Sequence, residues 1–185
     1  NLLQKNDRNI ILKSRQLGIS TLSAGISLWM MVFQKDKSIL VVATKQDTAK
    51  NLVTKVKFMY DNLPSWLQIG FTENNKLALR LKNGSQVKAV SAASDAGRSE
   101  AISLLIIDEA AFIEENRIEE IWGSSQQTLS TGGRAIVLST PNGTGNFFHR
   151  MWNKAEEGTN GFTPIRLPWT VHPERNEEWR TKQDD

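Results

Sequence analysis

The residues best suited to chemistry fall in three short stretches: Lys13-Ser14-Arg15-Gln16-Leu17-Gly18-Ile19-Ser20-Thr21, Asp108-Glu109 and Ser139-Thr140. The first combines two cations, a glycine and several hydroxyls. It lies between Asn9–Leu12, which reads as a buried strand, and Thr21–Phe33, an apolar run that reads as a helix. A strand, a tight turn and a helix N-terminus make an anion site, because free backbone N–H groups and the helix dipole both point into the loop. Ser20 or Thr21 supplies the hydroxyl that a phosphate-bound Mg²⁺ needs. The second stretch places two carboxylates after the apolar run Leu104–Ile107. A carboxylate at the end of a buried strand can hold Mg²⁺ directly or through water, and its neighbour can orient or deprotonate an attacking water. Asp108 and Glu109 point to different sides as the strand ends, so they can divide these roles. Ser139 and Thr140 end a further apolar run and can sense a terminal phosphate by hydrogen bonding.

The first stretch is similar to a phosphate loop of the G-x-x-x-x-G-K-[ST] type, with one large departure. Gly18 and Ser20 are in place, but Ile19 fills the lysine slot and Lys13 stands where the first glycine belongs. Two readings follow: the loop is dead, or Lys13 reaches the phosphates from the other end. Each stretch alone also has a plain structural account, as a basic strand–helix turn, an acidic loop after a core strand, and a Pro-Asn-Gly turn.

The elements that must position these residues alternate. Leu2–Leu12 reads as a helix end and a strand, Ser20–Gln34 as a helix, and Ser38–Ala43 as a strand. Thr44 reads as the N-cap of a helix over Gln46–Asn62, whose apolar residues recur at helical spacing. Leu77–Leu81 and Gln86–Val90 flank the turn Lys82–Ser85 and predict an antiparallel hairpin at one side of the sheet. Ser91–Ser99 reads as a loop, Leu104–Ile107 as the most apolar strand, and Ile113–Gln127 as a helix. Then come the strand Ala135–Leu138, the helix Phe147–Glu157 and the strand Phe162–Leu167, with a last helix starting near Pro173. Buried strands alternating with helices predict an α/β fold, a mainly parallel sheet flanked by helices. Such sheets carry ligand sites at the carboxyl ends of their strands, where all three stretches fall.

Composition narrows the choice. The chain has 185 residues, 39% hydrophobic and 23% charged, ordinary for a globular domain with a sizeable core. No apolar run is long enough to span a bilayer, so no membrane role is expected. There is no cysteine, which removes disulfides and thiolate metal sites. Net charge is only +3, but residues 1–60 hold ten Lys/Arg against three Asp/Glu. A basic first third suits a nucleotide or nucleic acid. For Lys50, Lys55 and Lys57 a solvated helix face is the better account.

In this order, the pieces resemble the ATPase domain of the large terminase subunit of tailed bacteriophages, the motor that packages DNA into proheads. The likeness rests on Lys13–Gly18 with Ser20, on Ile106-Ile107-Asp108-Glu109-Ala110-Ala111-Phe112, and on Ser139-Thr140-Pro141-Asn142-Gly143. Asn83-Gly84-Ser85, Gly158 and Gly161-Phe162 are smaller echoes. The resemblance implies a P-loop NTPase fold of the RecA-like (ASCE) kind over residues 1–165, with 166–185 starting a lid or linker. It implies ATP and Mg²⁺ as cofactors. Lys13 and Arg15 resemble phosphate-loop bases, and the family includes variants whose lysine opens the loop. Asp108 with Ser20 resembles the Mg²⁺ site, Glu109 the catalytic carboxylate, and Ser139-Thr140 the coupling motif linking hydrolysis to DNA movement. Arg98 resembles an arginine that some members insert into a neighbour's active site, and a local pair with Asp95 or Glu100 accounts for it equally well.

Implied partners are double-stranded DNA, a portal protein, a small terminase subunit and further copies in a homo-oligomeric ring, within the host cell cytoplasm. Two family features are not found: an adenine-contacting glutamine well upstream of the loop, since Gln4 is too close, and a C-terminal nuclease domain. The expectation is therefore an ATPase domain without nuclease activity. Two other readings stay open. Asp108-Glu109-Ala110 also resembles a helicase strand-end motif, although Ser139–Gly143 favours the terminase. A nucleotide-binding module without hydrolysis is the third, and the presence of Glu109 argues against it.

Overall fold

The computed structural model describes residues 2–92, 101–129 and 132–184. In chain order the elements are α1 (Leu2–Lys5), β1 (Arg8–Lys13), α2 (Ile19–Phe33), β2 (Ser38–Ala43), α3 (Gln46–Asp61), β3 (Phe71–Asn74), β4 (Ala78–Leu81) and β5 (Gln86–Ser91). They continue with β6 (Leu104–Asp108), α4 (Glu115–Leu129), β7 (Arg134–Ser139), α5 (Phe147–Glu156), β8 (Thr163–Leu167) and α6 (Glu177–Asp184). One sheet joins all eight strands in the order β3-β4-β5-β2-β6-β7-β1-β8. Every neighbouring pair from β5 to β8 is parallel, and β3-β4-β5 are antiparallel. The α/β class, the mainly parallel sheet and the hairpin are as the sequence predicts.

Successive side chains of a strand alternate between faces, and both faces are covered. Ile11, Ile39, Val41 and Ile106 pack under α2 and α3; Ile10, Leu40, Leu105 and Ile107 pack under α4 and α5. Every residue of β6 is buried, which is why it reads as an unbroken apolar run. In register, Leu12 lies opposite Ser139, and Asp108 opposite Leu138. The tips of β1, β7 and β6 therefore lie side by side. At one strand spacing per step, β1 and β6 stand about 10 Å apart with β7 between them.

Some local expectations differ. Thr44 does not cap α3; Lys45, with extended backbone, is the N-cap, and the Thr44 hydroxyl is engaged elsewhere. The last helix starts at Glu177, not near Pro173, because the chain first folds into a 3₁₀ turn over Trp169–Val171 and Asn176 caps the helix by accepting from Trp179 N at 2.9 Å. Strand β3 is not legible in the sequence, since Phe71–Asn74 has no sustained pattern. The last strand, β8, ends at Leu167 as the sequence predicts.

The hairpin turn also braces the helix that carries the loop. Asn83 Nδ2 donates to Met31 O at 2.8 Å and to Gln34 O at 3.1 Å, and Ser85 Oγ donates to Gln34 O at 2.9 Å. These bonds satisfy carbonyls at the C-terminal end of α2, which a helix leaves open. Gly84 suits the turn because its φ of +85 is a conformation that side-chain-bearing residues rarely adopt. Asn83→Ala should therefore cost about 1–2 kcal/mol. Thermal unfolding checks it: a midpoint within about 1 °C of wild type would remove this bracing role.

Candidate nucleotide and metal site

The first turn of α2 opens toward the three strand tips. Gly18 takes a left-handed conformation at φ +73, and the first helical bond runs from Leu22 N to Gly18 O at 3.0 Å. The amides of Ile19, Ser20 and Thr21 are left facing the loop, as a helix N-terminus requires. Gln16 also has positive φ, at 58°. A non-glycine residue held there stores strain, and such residues gather at functional sites. Among the described residues two of three lie here: Gln16 and Glu109 line one cleft, and Asp36 sits in a turn elsewhere.

That cleft measures about 520 Å³ and is lined by Lys13, Arg15, Gln16, Thr44, Lys45, Glu109, Phe112 and Thr140. Lys13 thus faces the same space as Glu109 and Thr140. Ile19, in the usual lysine slot, packs against the core instead and offers the loop no charge.

Where the first turn of α2 meets the end of β6, Ser20 Oγ donates to Asp108 Oδ2 at 2.9 Å. A hydroxyl beside a buried carboxylate is a hard oxygen pair suited to Mg²⁺, which takes few protein ligands and completes its shell with water and phosphate oxygens. The donor set fits that ion, and Ser20 and Asp108 are the residues that could hold it. The Thr21 hydroxyl turns away and accepts from Lys55 Nζ at 3.1 Å, so of the two candidates Ser20 is the one brought to the carboxylate.

Glu109 leaves the strand pleat at φ 55, ψ 38. Its amide donates to Asp108 Oδ1 at 2.9 Å, and its Oε2 accepts from Thr44 Oγ1 at 3.3 Å. The two acids therefore separate, one toward Ser20 and one toward the tip of β2. Sequence reasoning misses Thr44 and Lys45 as site residues; they follow β2, which neighbours β6 in space, but Thr44 lies 65 residues from Glu109 in the chain. Thr44→Val should lower turnover about tenfold by releasing Glu109, with nucleotide affinity little changed. Unchanged turnover in steady-state kinetics would remove Thr44 from the positioning of Glu109.

Ser139 is fully buried, and its Oγ accepts from Ala111 N at 3.1 Å. Asn142 Nδ2 donates to Ala111 O at 2.9 Å. The tip of β7 thus grips both backbone groups of Ala111, two residues past Glu109, while Thr140 faces the cleft. Ser14 is tied to β8 through Ser14 N to Leu167 O at 2.9 Å, and Leu17 is half-buried in the loop. Arg98, with Asp95 and Glu100, lies outside the described residues. Among the described residues no cluster of three His, Cys, Asp or Glu forms a metal cage, and no helix is long and apolar enough to cross a membrane.

The family described as terminase large subunit, T4likevirus-type, N-terminal, matches residues 10–182. Among solved structures, the fold is similar to the large terminase ATPase domain of Thermus phage P74-26, with a TM-score of 0.75 and 23% identity over 96% of this chain and 82% of that one. It is similar also to the large terminase of bacteriophage HK97, at a TM-score of 0.71 and 17% identity, covering 95% of this chain and 38% of that one. The large terminase of a thermophilic bacteriophage, solved in complex with ATP-gamma-S, gives a TM-score of 0.71 and 12% identity over 98% of this chain and 44% of that one. The chain spans less than half the length of these last two.

Proposed function

The chain belongs to the T4-like-virus type of large terminase subunits, matching the N-terminal part, and on that premise we propose that it is an ATPase domain that couples ATP hydrolysis to translocation of double-stranded DNA into a viral prohead. The observation that carries this reading is the convergence of Lys13, Ser20, Asp108, Glu109 and Thr140 at adjacent strand tips and one helix N-terminus.

In this reading the ATP phosphates lie on the amides of Gly18 to Thr21, with Lys13 and Arg15 supplying the charge that Ile19 does not. Ser14, Gln16 and Leu17 shape the loop. Ser20 and Asp108 would hold Mg²⁺, which would supply positive charge against the charge developing on the phosphates. Glu109 accepts a proton from the attacking water, or fixes its orientation, while Thr44 holds the carboxylate. Thr140 contacts the terminal phosphate. When that contact is lost after hydrolysis, the grip of Ser139 and Asn142 on Ala111 passes the change to the turn behind Glu109. Arg98 from a neighbouring subunit adds charge to the transition state, which calls for a ring of copies. Residues 1–165 form the ATPase unit and 166–185 begin a lid or linker. A portal protein and a small terminase subunit are the partners proposed, in the host cell cytoplasm.

The test is ATP turnover by this chain across a range of concentrations, with and without double-stranded DNA. Turnover that needs Glu109 and rises with DNA supports the motor. Tight ATP binding with no turnover at any concentration would favour a nucleotide-binding module instead.

A further inference from the structure

The segment after the last strand closes onto the phosphate loop through one side chain. Arg175 Nη1 donates to Arg15 O at 2.9 Å and to Ser14 Oγ at 3.3 Å. Its guanidinium lies over the Trp179 ring, 4.6 Å from the centroid, and Trp179 packs against Trp169 at 5.9 Å. The backbone supports this arrangement: Arg175 N donates to His172 O at 3.1 Å, and Glu174 N donates to His172 Nδ1 at 3.2 Å. A second tie, Ser14 N to Leu167 O, fixes the same residue of the loop from β8.

Among the described residues Arg175 pairs with no carboxylate. It therefore adds a third cation around a loop that already holds Lys13 and Arg15. Like charges gathered on one short loop repel, and a bound polyanion relieves that repulsion. A flat guanidinium that lies over an indole while one of its terminal nitrogens bonds both a hydroxyl and a carbonyl is a task that suits arginine better than lysine.

Resting on the phosphate-site reading above, we propose that Arg175 is a positioning residue for the phosphate loop, and that nucleotide binding and the docking of residues 168–180 are coupled through it. Arg175 does not touch the reacting atoms. It holds the Ser14 hydroxyl and the Arg15 carbonyl, and so the loop from which the side chains of Lys13 and Arg15 project. Coupling of this kind is reciprocal: whatever factor docking adds to nucleotide affinity, bound nucleotide adds to docking.

The experiment combines kinetics with amide hydrogen exchange on wild type, Arg175→Ala and Arg175→Lys. In the absence of nucleotide, Arg175→Ala should speed exchange at residues 14–18. KM for ATP should rise about tenfold while kcat falls by less than about threefold, and Arg175→Lys should recover part of the loss. Adding the non-hydrolysable ATP analogue with Mg²⁺ should slow exchange over 168–180 in wild type and not in Arg175→Ala. A wild type that protects residues 13–21 on binding nucleotide, but whose exchange over 168–180 and KM match those of Arg175→Ala, overturns the coupling alone. A wild type whose loop amides ignore nucleotide overturns the phosphate-site reading and the coupling with it.

Discussion

Glu109→Gln should keep nucleotide affinity within about twofold of wild type while turnover falls by about 10²-fold or more, the scale for losing a positioned base. The reason is geometric. Asp108, not Glu109, meets Ser20, so the metal side of the site is untouched by the change. Glu109 instead turns out of the pleat toward Thr44, at the edge of the cleft where water has access. The substitution preserves size and the ability to accept a hydrogen bond from Thr44, so it removes the base without collapsing its surroundings. Equilibrium binding of ATP and single-turnover hydrolysis measure the two effects separately. Near-normal turnover in this variant refutes the assignment.

Lys13→Ala should weaken ATP binding by about 10²-fold, close to 3 kcal/mol for a charged contact in a partly dry site. Lys13 ends β1 and lines the cleft beside Arg15, whereas Ile19 packs into the core and brings no charge to it. Arg15 is exposed and its carbonyl is held by Arg175, which keeps its backbone in place when Lys13 is removed. The same variant should lose turnover in proportion to the phosphate contact made in the transition state. Unchanged affinity would end the role of Lys13 and move it to Arg15.

Much of this is legible in the sequence, for identifiable reasons. The parallel strands are buried on both faces, so β2, β6 and β7 read as unbroken apolar runs and their ends mark the site. Asp108 and Glu109 stand out because two carboxylates after such a run have no packing purpose. The loop at Lys13 stands out because Gly18 precedes a helix start. What escapes is contact between residues distant in the chain. Thr44 meets Glu109 only because β2 neighbours β6, and as a threonine before a helix it reads as a cap. Arg175 meets the loop across 160 residues, with no local pattern to announce it. The turn Asn83-Gly84-Ser85 is visible as a turn, but its bonds to the end of α2 depend on where the hairpin docks. The choice between Ser20 and Thr21 also needs the helix phase, which aims one at Asp108 and the other at Lys55.

The central claim is that a lysine at the start of the loop stands in for the one missing at Ile19. A crystal structure with a non-hydrolysable ATP analogue and Mg²⁺ tests it most directly. The account predicts the phosphates on the amides of Gly18 to Thr21, the metal on Ser20 and Asp108, and Lys13 Nζ about 2.7–3.2 Å from phosphate oxygens. A nucleotide seated on this loop with Lys13 turned into solvent would contradict it.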